Sequence, residues 1–138
     1  MSNRRDLLKI AGWNALAALS TAGGAAPLPD VTIDAKDARV SHEPFGDLRI
    51  YFDGPTGQLS AMTAGSLRLK PGMRPHPPHQ HPEEEFMVIT EGSGEITVGG
   101  KTTQVGPGSM MYCAANHVHG IVNTGKAPLL FYFYKWKA

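Results

Sequence analysis

After Ala26 no stretch of the chain sustains the 3.6-residue apolar period of a helix. Short runs rich in β-branched and aromatic residues recur instead, between Gly, Pro and Asp breaks. The runs are 48–52, 58–69, 85–90, 95–98, 102–105, 109–113, 119–122 and 129–136. Asp53-Gly54, Gly99-Gly100 and Pro107-Gly108 are turn signals, and Gly99-Gly100 is read as closing a hairpin. About eight strands at this spacing predict an all-β protein, an antiparallel sandwich or barrel. The last run, Leu129-Leu130-Phe131-Tyr132-Phe133-Tyr134-Lys135-Trp136, is aromatic on both faces. Such a strand is expected to be covered twice, by the barrel core and by a second subunit, so a homodimer is expected.

A chain of 138 residues is enough for one domain and too short for two well-packed ones. Of its thirteen Lys and Arg, three (Arg4, Arg5, Lys9) lie in the first 26 residues, against Asp6 of its twelve Asp and Glu. Behind them 10 basic and 11 acidic residues remain, a nearly neutral body. No basic stripe, helix-turn-helix pattern or aromatic RNA platform is visible, which argues against nucleic-acid binding. Cys113 is the only cysteine, so an internal disulfide and a Cys-based zinc cluster are both excluded.

The N-terminus reads as an address. Asn3-Arg4-Arg5-Asp6-Leu7-Leu8-Lys9, then a modestly apolar run from Ile10 to Ala22 and small residues to Ala26, resembles a twin-arginine export signal. The apolar run is short and interrupted by Gly12 and Asn14, too little for a stable membrane span. The resemblance implies a signal peptide over 1–26, a folded domain over 27–138, a periplasmic or otherwise exported protein, and no membrane association beyond the signal. A retained anchor and an Arg-rich amphipathic helix are the alternatives. Because this route carries folded proteins, a metal could be loaded before export.

His79, His81, Glu85 and His119 together make a ligand set for one divalent metal. Side chains alternate along a strand, so the even separations of His79, His81 and Glu85 let all three face one way. One short extended segment is therefore expected to supply most of the metal's inner shell. Gly72, His79-Gln80-His81, Glu85 and Gly92 resemble the first cupin motif; Gly108, Ala114, Asn116, His119 and Asn123 follow the spacing of the second. The chain is thus similar to small single-domain cupins of the RmlC-like type, which implies a jelly-roll (double-stranded β-helix) barrel. It departs from the pattern in a six-residue spacer ahead of His79 that carries Pro75, Pro77 and Pro78. Ala114 and Asn116 also stand where the family has proline and glycine. Asparagine is the best substitute for glycine where a positive φ is needed, so the turn is expected to survive.

The resemblance carries the metal-binding role onto His79, His81, Glu85 and His119. An anionic oxygen ligand without thiolate favours Mn(II) or Fe(II), with Ni, Co or Zn as the other candidates. Met62, Met73, Met87, Met110 and Met111 are read as gap-filling core rather than copper ligands. Four protein ligands on an ion that prefers six leave positions open for water, substrate or oxygen. His117 and His76 are the candidate catalytic helpers, as proton shuttle and pocket-mouth group. Glu83 or Glu84 is expected to hydrogen-bond a histidine ligand. Two functions compete: a small exported dioxygenase-like oxidoreductase acting on a small oxygenated or phenolic molecule, and a non-enzymatic module that holds metal and a small ligand. A purely structural barrel would keep four matching ligands only by accident.

Overall fold

The computed structural model describes residues 25–138. The export signal read at 1–26 lies outside the described residues except for Ala25 and Ala26. Nine strands and one 3-10 turn, Ala35–Asp37, make up the described chain. The strands are β1 (Arg39–Glu43), β2 (Gly46–Gly54), β3 (Ala61–Leu69), β4 (Glu84–Glu91), β5 (Gly94–Val98), β6 (Lys101–Val105), β7 (Met110–Cys113), β8 (His119–Val122) and β9 (Leu129–Lys137). They form a six-stranded sheet in the order β1-β2-β3-β9-β4-β7 and a three-stranded sheet in the order β6-β5-β8. Every pairing is antiparallel. The expected all-β jelly roll is the observed fold, with the C-terminal strand inserted between β3 and β4.

Turn chemistry explains several joints. Gly99 and Gly100, at φ 56° and 82°, close the β5–β6 hairpin with the two left-handed residues that a two-residue loop demands. Gly108, at φ 88°, occupies the turn in which Ser109 N–H donates to the Gly106 carbonyl. Asp53-Gly54 is not a turn: both residues pair within the β2–β3 ladder, opposite Thr63 and Met62. Leu28 packs where a Gly54 side chain would go, and the chain reverses only beyond Pro55. Strand β1 escaped the sequence reading because Arg39-Val40-Ser41-His42-Glu43 has no apolar alternation; it is an edge strand that pairs with β2 on one side only.

Side-chain alternation places the core. Along β9, Leu129, Phe131 and Phe133 point inward and are buried, while Tyr132 and Trp136 are half-buried and Tyr134 is exposed on the outer face. Phe133 lies over Gly65, its ring 2.7 Å from where a Cβ would stand, so β3 has no side chain there. Leu67, Met87, Ile89, Ile96 and Ile121 belong to the same cluster between the two sheets, with Leu48, Ile50, Leu69, Met111 and Cys113. Each such side chain contributes roughly 1.5–3 kcal/mol by leaving water. Toward one end of the same inner faces the apolar residues give way to Thr63, Glu85, His119 and Lys135, all buried. That end holds the candidate site.

Candidate metal centre

The first ligand segment is not a strand. Residues 79–83 lie in a loop, and β4 begins at Glu84. Pro75, Pro77, Pro78 and Pro82 lack the N–H a ladder requires, so the segment cannot pair as a continuous strand. What remains is a single isolated bridge: His79 N–H donates to the His119 carbonyl and His119 N–H to the His79 carbonyl, each at 2.9 Å. The bridge joins the two motifs at their ligands. Farther along, Asn116 N–H donates to the His81 carbonyl at 2.7 Å. It does so from the left-handed region, φ 62°, as expected for an asparagine standing in for glycine. Asn123, also buried, donates its amide to the Leu69 and Ala127 carbonyls and accepts from Gly125 N–H, and its backbone is tied to Gly72 and Met73.

These constraints bring the imidazoles of His79, His81 and His119 together, with one ligand atom from each within 4.8 Å of the others. Glu85, on the inner face of β4, joins them: its Oε1 lies 3.1 Å from His81 Nε2 and 3.6 Å from His119 Nε2. The outer ring nitrogens fix the tautomers. His119 Nδ1 sits 3.1 Å from the His117 carbonyl, and His81 Nδ1 sits 3.1 Å from the Glu83 carbonyl and 3.2 Å from its carboxylate. Each Nδ1 therefore carries the proton and donates it outward, leaving Nε2 with a lone pair aimed at the centre. Glu83 fills the role expected of one of the two flanking glutamates. Glu84 faces the other way and accepts from Tyr112 Oη at 2.6 Å and Trp136 Nε1 at 3.0 Å.

The residues present fit a divalent ion. His79 Nε2, His119 Nε2 and Glu85 Oε2 are buried with no hydrogen-bond partner among the described residues. With its proton on Nδ1, His81 presents a lone pair to another acceptor, Glu85 Oε1, at 3.1 Å. Acceptors converge in this way only where a cation or a proton sits between them. Electrostatics agrees. Burial works against an ionised Glu85, yet the His119 and His81 imidazoles beside it and the charge of Lys135 prevail and hold its pKa at about 2. Burial, reinforced by His76, His119 and His81, holds the His79 pKa at about 3, so that ring is neutral and ready to ligate. Burial lowers the His119 pKa as well, but Glu85 outweighs it and raises the value. Burial and the charge of Glu85 push the Cys113 thiol pKa up, which keeps thiolate out of the donor set.

The two helper candidates part company. His76 stacks on His79 with ring centroids 3.6 Å apart, and its Nδ1 sits 2.8 Å from the Pro77 carbonyl. The His117 side chain is exposed; its carbonyl, not its imidazole, reaches the site, where it accepts from His119. Lys135 was not singled out from sequence. It is buried on the inner face of β9, opposite Glu85. The signal was there: Leu129, Phe131, Phe133 and Lys135 share one parity, and a charge on an otherwise apolar inner face is the informative residue.

Comparison with known proteins places this geometry. No curated protein matches the chain. Among solved structures, an RmlC-like cupin from Shewanella frigidimarina NCIMB 400 is 14% identical, covering 80% of this chain and 93% of its own, with a TM-score of 0.66. A predicted oxalate decarboxylase from Thermotoga maritima is 17% identical, covering 78% of this chain and 100% of its own, with a TM-score of 0.63. The polyketide cyclase RemF from Streptomyces resistomycificus is 21% identical, covering 78% and 80%, also at 0.63. At such identities these likenesses establish the fold alone. Residues 65–134 match the Cupin_2 family of cupin domains, a span that runs from the middle of β3 through both histidine motifs into β9, and the chain belongs to that family.

Proposed function

We propose that this protein is an exported metal-binding cupin, a mononuclear Mn- or Fe-type oxidoreductase, dioxygenase-like, acting on a small oxygenated or phenolic molecule. The observation that carries the reading is the convergence of three imidazole lone pairs and the Glu85 carboxylate, with the buried lone pairs of His79, His119 and Glu85 lacking any partner among the described residues. A mixed nitrogen and oxygen set without thiolate favours Mn(II) or Fe(II) over softer ions. When bound, such a metal supplies Lewis acidity and a meeting point for substrate and oxygen.

The protein's own residues do the rest. Glu83 and the His117 carbonyl hold the rings of His81 and His119 in the ligating tautomer. In this reading His76, stacked on His79, exchanges a proton with a substrate at the mouth. The outer aromatic face of β4, β7 and β9 supports a homodimer, and the N-terminal arginine pair supports export.

A predicted oxalate decarboxylase and a polyketide cyclase share this fold, so the chemistry has to be read from an assay. The test is to determine the metal content of the purified protein, load it with Fe(II) or Mn(II), and follow oxygen uptake with catechols, flavonols, diketones and small dicarboxylates. Uptake that disappears in His81→Ala supports the oxidoreductase. Tight ligand binding with no uptake and no new product by mass spectrometry would make the protein a binding module.

A further inference from the structure

One rung on the inner face of the six-stranded sheet is mostly polar, where the next one on that face, Gly65, Phe133, Met87 and Met111, is apolar. Asp53 stands opposite Thr63, Thr63 opposite Lys135, Lys135 opposite Glu85, and Glu85 opposite Cys113. Thr63, Lys135, Glu85 and Cys113 are buried, and the Asp53 side chain is 12% exposed. Asp53 reaches this rung through an irregularity in β2. Before the register shift between Ile50 and Phe52, Leu48 and Ile50 face the core; after it, Asp53 turns in and accepts from Thr63 Oγ1 at 3.3 Å. Bulges near active sites re-aim single side chains in this way. Burial lowers the Lys135 pKa, and the charges of Glu85, Glu83 and Asp53 oppose that shift in favour of the ammonium. Arg39, 3.6 Å from Asp53, closes the outer end of the row.

Two cations thus have a claim on one carboxylate. Glu85 has Oε1 toward His81 and His119, and Lys135 beside it in the ladder. We propose that Lys135 is the internal counter-cation of the metal-free barrel: it offsets the buried carboxylates until a divalent ion arrives, and its own charge then limits how tightly that ion is held. The inference rests on the metal reading of the site and adds to it a residue that tunes the affinity. Burying Glu83 and Glu85 together without a cation is costly, so the ammonium lets the barrel fold empty. Once the ion is present, the same ammonium is a like charge nearby and weakens its binding. A lysine with only a structural role would instead stabilise the empty and loaded barrels equally.

The experiment compares the full chain with Lys135→Met, which keeps length and apolar stem but loses the charge, and with Lys135→Arg, which keeps the charge. Mn(II) and Zn(II) are titrated into metal-stripped protein by calorimetry, and thermal unfolding is followed with and without each ion. The expected result for Lys135→Met is a lower Tm without metal, an affinity tighter by on the order of tenfold or more, and a larger rise in Tm on loading. Lys135→Arg follows the wild type. Unchanged or weaker affinity in a folded Lys135→Met protein overturns the proposal. If Lys135→Met is unfolded when empty, its refolding by saturating Mn(II) or Zn(II) supports the proposal, since the ion then replaces the ammonium. The double variant Lys135→Met/Asp53→Asn, which also removes the more distant carboxylate, is expected to bind more tightly than wild type as well. Failure of both variants to fold at saturating metal overturns the proposal. A wild-type protein that binds neither ion overturns the metal reading itself, a result separate from a wild type that binds and a Lys135→Met that binds no better.

Discussion

The Glu83 carboxylate lies 3.2 Å from Nδ1 of His81, behind the ring, while the opposite nitrogen of that ring faces Glu85 at 3.1 Å. Two glutamates two residues apart therefore serve one imidazole from its two ends, and the residue between them, Glu84, serves the outer surface.

Three neighbouring glutamates should then give three outcomes. Glu85→Ala is expected to lower metal affinity by more than about 100-fold, beyond the range for groups that only orient a ligand. Glu83→Ala should cost about 10–100-fold, because His81 Nδ1 keeps the backbone carbonyl of residue 83 but loses the carboxylate that raises the basicity of the ring. Glu84→Ala should leave affinity unchanged and free Tyr112 and Trp136 from their shared acceptor. Competition against a chromogenic chelator measures all three. Full metal occupancy in Glu85→Ala would show that Glu85 is no ligand.

The metal-free protein should weaken in acid in two stages. His79, held at about 3 by burial and its histidine neighbours, has a folded pKa below its ordinary 6.5. The unfolded chain binds the extra proton between those values, so stability is present above pH 6.5 and is lost as pH falls toward 3. Glu85, held at about 2 against an ordinary 4.5, adds a second loss as pH falls from 4.5 toward 2. His119, whose pKa is raised, works the other way: its contribution is present below pH 6.5 and is lost as pH climbs through its folded value. Urea midpoints at a series of pH values should fall below pH 6.5, and His79→Gln should flatten the first stage. Equal slopes for the two proteins would contradict this account.

Asn116 carries a backbone strain with a local purpose. Asn116→Gly should leave the Tm within a degree or two, since glycine adopts φ 62° freely. Asn116→Val should cost about 1–2 kcal/mol by forcing a β-branched residue into the left-handed region. It should also loosen the metal, because the Asn116 N–H anchors the His81 carbonyl. Thermal unfolding and metal titration on the same samples check both halves.

The outer face of β4, β7 and β9 offers a test of the expected dimer. Phe86, Tyr112 and Tyr134 are 38%, 48% and 44% exposed, and Phe86 stacks on Trp136 with centroids 5.5 Å apart. A charge in such a patch opposes association. Phe86→Glu/Tyr134→Glu should sediment as a monomer with its metal affinity intact, whereas the wild type should sediment as a dimer. A monomeric wild type would remove the homodimer.

Much of the architecture was legible because period-two alternation and glycine turns are local. The eight expected runs all fall on strands, and the Gly99-Gly100 hairpin needed only its two glycines. Asn116 was legible for the same reason: positive φ is a property of one residue. What escaped was set at a distance. Strand β1 has no apolar pattern of its own and exists because β2 offers it an edge. The loop at 79–83 stays out of the ladder because prolines remove donors, although its histidines still converge. Lys135 stands out in its own strand as a charge on an apolar face, but what it faces is set by β9 lying beside β4, a pairing between the end and the middle of the chain.

The reciprocal backbone bonds of His79 and His119 also bear on the order of events during folding. The two partners belong to segments separated by the whole β4–β7 stretch, so their pairing is a non-local contact that carries the loop-closure cost of everything between them. Without the His119 segment in place the chain offers at most three of the four donors, two on the 79–83 loop and one on β4. On the proposed metal reading the donor set is complete only in the finished barrel, so the rate of metal capture during refolding should report completion of the fold, not its beginning.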